Sequence, residues 1–164
     1  MELTPDIATW RVLVVDDEAD NLNLIADLLD YSGATTSRAK DGLEGLALVD
    51  TFQPNFILLD LGMPSLDGWE VQRRLRLRPE LRGVPIVALT ALAMPDDAER
   101  VHTAGFDAYI TKPFRVREVL NDLKRSVVSF TARLTNSETM NPGTDAANAA
   151  PITKSEITEQ INHE

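Results

Sequence analysis

The 164-residue chain contains no cysteine, which excludes a disulfide framework and a thiolate metal site. Aromatic residues are scarce, 5% against 43% for all hydrophobic residues, so the core must be built mainly from Leu, Val, Ile and Ala. No apolar run approaches the length that spans a bilayer. The start, Met1-Glu2-Leu3-Thr4-Pro5-Asp6, lacks the basic region and apolar stretch of a signal peptide. The expectation is a cytoplasmic protein without membrane insertion. Positive charge is also short: the formal net charge is -10, with 21 acids and 15 bases up to Leu134 and 5 acids and 1 base after it. A general nucleic-acid binder carries a basic footprint, so no direct nucleic-acid contact is expected. The two histidines, His102 and His163, read as a surface residue and a tail residue, not as phosphohistidines.

What is present is an alternation of short apolar runs and amphipathic stretches. Arg11–Val15, Asn55–Leu59, Pro85–Leu89 and Ala108–Thr111 have the length and composition of strands in a parallel sheet. A more polar run, Thr35–Arg38, reads as an edge strand. Helices are expected from Asp20 to Ser32 (Leu22, Ile25, Ala26 and Leu29 inward, Gly33 ending it) and from Gly42 to Thr51, with Leu43, Leu46 and Ala47 inward. Further helices begin near Gly68 (Val71, Leu75), Pro95 (Ala98, Val101) and Val116 (Val119, Leu120, Leu123, Val127). Asp20, Asp41 and Asp67 read as helix caps. Five β/α repeats imply a doubly wound five-stranded parallel sheet, α/β in class, with right-handed crossovers. Residues 1–9 read as an N-terminal extension and 10–134 as the domain. From 135 to 164 the chain reads as a polar, disordered tail in which Thr153–Glu164 could form a short polar helix.

Four of the strands end in residues that suit one job. Asp16 and Asp17 follow the first, Asp60 the third, Thr90 the fourth and Lys112 the fifth. Ligands of open α/β sheets bind beyond the carboxyl ends of the strands, so these groups should meet. Three crowded acids repel unless a cation joins them, and a hard divalent metal suits oxygen donors. Each motif also has a plainer reading. Asp16-Asp17-Glu18 could be a solvated helix cap, and Thr90 an ordinary strand-end threonine. The register of all four segments favours the site.

The motifs Val14-Val15-Asp16-Asp17-Glu18, Leu59-Asp60-Leu61-Gly62-Met63-Pro64-Ser65-Leu66-Asp67-Gly68, Leu89-Thr90-Ala91 and Lys112-Pro113-Phe114 resemble the receiver domain of two-component response regulators, over Trp10 to Val128. The resemblance implies a flavodoxin-like receiver fold. It implies Asp60 as phosphoacceptor, Asp17 and the Gly62 carbonyl as Mg2+ ligands beside Asp60, and Asp16 holding a metal-bound water or the Lys112 ammonium. It implies that Lys112 and Thr90 contact the phosphoryl group and that Lys112-Pro113 is cis. Thr90 and Tyr109 would switch the face of helix four, strand five and helix five.

The implied partners are a histidine kinase or phosphotransfer protein and an unknown downstream protein, with a phosphorylation-dependent homodimer allowed. The expected role is a stand-alone signalling switch and not an enzyme beyond Mg2+-dependent self-phosphorylation and autodephosphorylation. The alternatives are a receiver detached from a hybrid kinase or phosphorelay, and an aspartyl-phosphate phosphotransferase or phosphatase. The last would need an acid at position 62, where glycine stands. A flavin protein would need Ser/Thr-rich phosphate loops where the chain has acids. Gly62 and Leu92 occupy the two positions that tune phosphate lifetime in the family. Neither can direct water, so slow loss of phosphate is expected; Ala91 leaves the site open. Trp69 and the five arginines between Arg73 and Arg82 have no assigned role: the former could pack or join an interface, the latter could dock an acidic partner or form a solvated face.

Overall fold

The computed structural model describes residues 3–91 and 95–139. One sheet carries five parallel strands in the order β2-β1-β3-β4-β5. They are β1 (Arg11–Val15), β2 (Thr35–Ala39), β3 (Phe56–Asp60), β4 (Ile86–Thr90) and β5 (Ala108–Thr111). The helices between and after them are α1 (Ala19–Tyr31), α2 (Gly42–Phe52), α3 (Gly68–Arg76), α4 (Pro95–Thr103) and α5 (Val116–Thr139). This is the doubly wound fold expected from the alternation. β3 and β4 are buried on both faces, which is why they read as unbroken apolar runs. β2 is the polar edge, held by Arg38, which pairs with Asp27 and Asp30 of α1 at 2.7 and 3.1 Å.

Alternation along the strands divides the core in two. Val12, Val14, Phe56, Leu58, Val87 and Leu89 face α1 and α5. Leu13, Val15, Ile57, Leu59, Ile86 and Ala88 face α2, α3 and α4. Among the described residues no helix is long and apolar enough to cross a membrane.

Helix α2 corrects the expected inward face. Leu43 and Ala47 are exposed; Gly42, Gly45 and Val49 point in, with Leu46 half-buried. The cause is close approach. A Cβ on Gly42 would lie 2.6 Å from Val71 Cγ2, and one on Gly45 would lie 3.0 Å from Val15 Cγ2. Asp20 is not a cap either. It lies inside the first turn of α1, whose cap position is Glu18. Asp41 and Asp67 do cap, accepting from the Glu44 and Glu70 amides at 2.8 and 2.9 Å.

Both ends of the domain are longer than the repeat pattern indicates. Leu3 and Ile7 of the N-terminal extension are buried, and the Trp10 indole N–H donates to the Thr4 carbonyl at 2.7 Å. α5 continues past Leu134 to Thr139, and the core stripe runs on through Phe130. The rest of the expected tail, with its short helix, lies outside the described residues.

Four of the five arginines are engaged within the chain. Arg73 and Arg74 pair with Glu70, and Arg78 pairs with Asp50. Arg76 joins a half-buried network at the start of β4. The Asp107 carboxylate accepts from Arg76 at 2.6 Å and from the Ile86 amide at 2.8 Å, and Arg76 donates to the Leu81 and Val84 carbonyls.

Candidate functional site

The strands deliver their polar ends to one edge, as expected. Asp16 follows β1, Asp60 and Thr90 are the last residues of β3 and β4, and Lys112 follows β5. The parallel register sets Asp60 beside Leu89 and Thr90 beside Thr111, so the four ends are level. Asp16 is fully buried, and both its oxygens are used. Oδ1 accepts from the Glu18 amide at 2.9 Å, and Oδ2 accepts from Lys112 Nζ at 2.8 Å. The same ammonium stands 3.3 Å from Asp60 Oδ1, which also accepts from the Gly62 amide at 3.2 Å. Lys112-Pro113 is cis, as the resemblance implies.

Asp17 is exposed and completes the cluster: carboxylate oxygens of Asp16, Asp17 and Asp60 all lie within 4.8 Å of one another. Burial and the neighbouring Asp60 carboxylate push the Asp17 carboxyl above the ordinary aspartate value, against the smaller pull of Lys112. Burial pulls the Lys112 ammonium down, but the hydrogen bond to Asp16 and the charges of Asp16 and Asp60 outweigh it and hold its pKa above the ordinary lysine value. One cation thus serves two of the three acids, and the third is left at the mouth.

A cavity of about 390 Å³ opens over Asp60, with Asp17, Gly62, Thr90, Ala91 and Lys112 in its wall. Tyr109 is not in that wall; it points outward from β5, 44% exposed. Leu92 lies outside the described residues. Gly62 has room for a side chain, since a Cβ there would meet only Asp60 Oδ1, at 3.9 Å.

Two features beside the cavity were not assigned from sequence. A Cβ on Gly68 would lie 2.2 Å from the Asp60 carbonyl oxygen, so only glycine lets α3 start this close to the strand end. Trp69, next in the chain, also lines the cavity. Its ring meets Phe106 edge-on, centroids 5.6 Å apart at 86°, and carries the Arg100 guanidinium of α4 at 5.0 Å. An aromatic pair of this kind contributes about 0.5–1.5 kcal/mol beyond area burial. An exposed cation–π contact adds about 0.5–1 kcal/mol. These are appreciable for α4, where Val101 is the one buried side chain among residues 96–103. The signal for Trp69 in the sequence is its place immediately after the cap pair Asp67-Gly68.

The family model described as the response regulator receiver domain matches residues 12–124. The chain belongs to the receiver domain family. Among its relatives, the polar-differentiation response regulator DivK of Brucella ovis is 40% identical over 116 residues, 71% of this chain and 94% of that protein. Among solved receivers, the chemotaxis response regulator CheY4 of Vibrio cholerae superposes with a TM-score of 0.68 at 27% identity, over 71% of this chain and 98% of that one. The receiver domain of a histidine kinase from Syntrophus aciditrophicus gives 0.65 at 26% identity, over 87% and 100%.

Receiver domains generally bind Mg2+ at an acidic pocket, and the donors of this one fit. The three acids offer hard oxygen ligands within 4.8 Å of one another, and the single ammonium of Lys112 reaches only Asp16 and Asp60 among them.

Proposed function

We propose that this receiver is a phosphorylation-dependent switch in which Asp60 accepts a phosphoryl group from a histidine kinase or a phosphotransfer protein. The observation that carries the reading is the Lys112 ammonium held between Asp16 and Asp60, with Asp17 beside them at the cavity mouth. An Asp60 oxygen attacks phosphorus; the P–N bond to the donor imidazole breaks, and the imidazole leaves with the electron pair. Asp16 takes no part in the bond change. Buried and doubly hydrogen-bonded, it fixes the ammonium where a phosphoryl oxygen will arrive. The Thr90 hydroxyl, at the end of the neighbouring strand, hydrogen-bonds a second phosphoryl oxygen. Bound Mg2+, held by Asp17, Asp60 and the Gly62 carbonyl with Asp16 acting indirectly, would neutralise charge on the transferring group.

Output follows from Thr90 and Tyr109. Movement of the threonine toward phosphate frees space, the exposed Tyr109 ring turns, and the face of α4, β5 and α5 changes its protein contacts. The only reactions are self-phosphorylation and loss of that phosphate to water, so the protein is a switch and not an enzyme acting on other substrates.

The test is incubation with acetyl phosphate and Mg2+, read by intact mass. The wild type should gain one phosphoryl group and Asp60→Asn none; uptake by the variant at the wild-type level would overturn the assignment. Lifetime offers a second measurement. Gly62 cannot orient water, and the space beside Asp60 accepts a side chain. Gly62→Asn should therefore speed dephosphorylation about tenfold, a modest share of what positioned proton-transfer groups supply. Unchanged decay of the isolated phosphoprotein would remove Gly62 from the account of lifetime.

A further inference from the structure

Two hollows meet at Trp69. Trp69 lines the cavity over Asp60 and also a groove shared with Asp96, Glu99, Arg100 and Thr103 of α4. The backbone under the indole is tightly seated, because Gly68 lies against the Asp60 carbonyl. The side chain is therefore the part that can respond to what enters the cavity. Its ring carries Arg100 and meets Phe106 in a T-shaped contact just before β5, and α4 has little else buried than Val101.

We propose that Trp69 is a positioning residue of the switch, whose indole passes occupation of Asp60 directly to α4 through the stacked Arg100. This route is separate from Thr90 and Tyr109, and it rests on the phosphoacceptor reading of Asp60. A phosphoryl group brings both volume and negative charge into a cavity walled by the indole. The added charge and volume change what the indole packs against, while the same ring carries the Arg100 cation. A shift of the ring changes the seat of Arg100, and α4, with one buried side chain, follows.

The experiment is amide hydrogen exchange of residues 96–103, with and without acetyl phosphate and Mg2+. The phosphate load of each sample is measured by intact mass, and exchange is compared at equal load. In the wild type, phosphorylation should change α4 exchange about fivefold, the lower end of typical coupling between sites. Arg100→Ala, which does not touch the cavity, should take up phosphate normally and lose most of that change. Trp69→Leu should lose it as well, and Trp69→Phe, which keeps a ring face for Arg100 and an edge contact with Phe106, should restore much of it. Exchange around Tyr109 should respond to phosphate in all four proteins. A wild-type α4 response in both Arg100→Ala and Trp69→Leu would overturn the coupling and leave the phosphoacceptor reading standing. A wild type that takes up no phosphate would overturn that reading, and this one with it.

Discussion

Replacing Lys112 with methionine should cost about 3 kcal/mol of stability near neutral pH, because it leaves a buried carboxylate without its cation. Asp16 is wholly inside, and Lys112 Nζ at 2.8 Å is its one cationic partner among the described residues. The Glu18 amide would remain on Oδ1, but Oδ2 would lose its donor, and Asp60 would face Asp16 unshielded. In a domain of this size the loss corresponds to a melting temperature lower by roughly 10 °C. The pH dependence separates this cause from simple loss of packing. In the wild type, the folded-state pKa of Lys112 is raised. Its stabilisation is therefore complete below the unfolded lysine value and is lost only as pH rises through the folded one, so it is flat between pH 5 and 8. Lys112 also pulls the raised Asp17 carboxyl down, so in the variant Asp17 rises further and binds a proton more readily folded than unfolded. The deficit should shrink as pH falls toward 5. Urea unfolding at pH 5 and pH 8 checks this; an equal deficit at both would mean that the aliphatic stem, not the charge, accounts for the loss.

Asp107→Ala should weaken the opposite end of the sheet by a similar amount, about 3 kcal/mol. Asp107 Oδ2 satisfies the buried Ile86 amide at the start of β4 and the half-buried Arg76 guanidinium. Removal would orphan a buried amide and release the arginine that holds the Leu81 and Val84 carbonyls. Because the two residues act in one network, Arg76→Ala and the double variant should not add: the pair should retain a coupling of at least about 1 kcal/mol in a double-mutant cycle. Independent, additive losses would show that Asp107 does not act through Arg76, leaving the Ile86 amide and Arg133 as its partners. Phosphate uptake at Asp60 should be spared, since the network lies at the other end of β4.

The contrast between α2 and the strands explains what could be read in advance. The runs ending in Asp16, Asp60 and Thr90 are unambiguous because a strand buried on both faces has no wrong side to choose, whereas the run before Lys112 is the half-exposed edge β5. Their order in the sheet then brings the ends together without further information. α2 is apolar nearly all round, so its period cannot say which side faces in. The answer lies in Gly42 and Gly45, whose missing side chains are what Val71 and Val15 require. Gly68 is hidden in the same way: its role is an absence, visible only once the Asp60 carbonyl is known to be behind it. Trp69 could be seen in the sequence but not placed, since two of its neighbours, Arg100 and Phe106, are about thirty residues away. The arginines were open between docking an acidic partner and a solvated face, and spacing could not show that the sequence cluster disperses to Glu70, Asp50 and Asp107 in space.

The buried N-terminal segment and the long last helix bear on where this protein can be cut. The family match spans residues 12–124, yet Leu3, Ile7 and Trp10 before it and Val127 and Phe130 after it belong to the core. The Trp10 ring packs tilted against Phe56, centroids 5.3 Å apart, at the start of the fully buried β3. A swap of receivers between proteins made at the family limits would thus transplant the phosphate site intact and leave behind the floor beneath it. For this chain, the unit that can be exchanged begins no later than Leu3 and extends at least through Phe130.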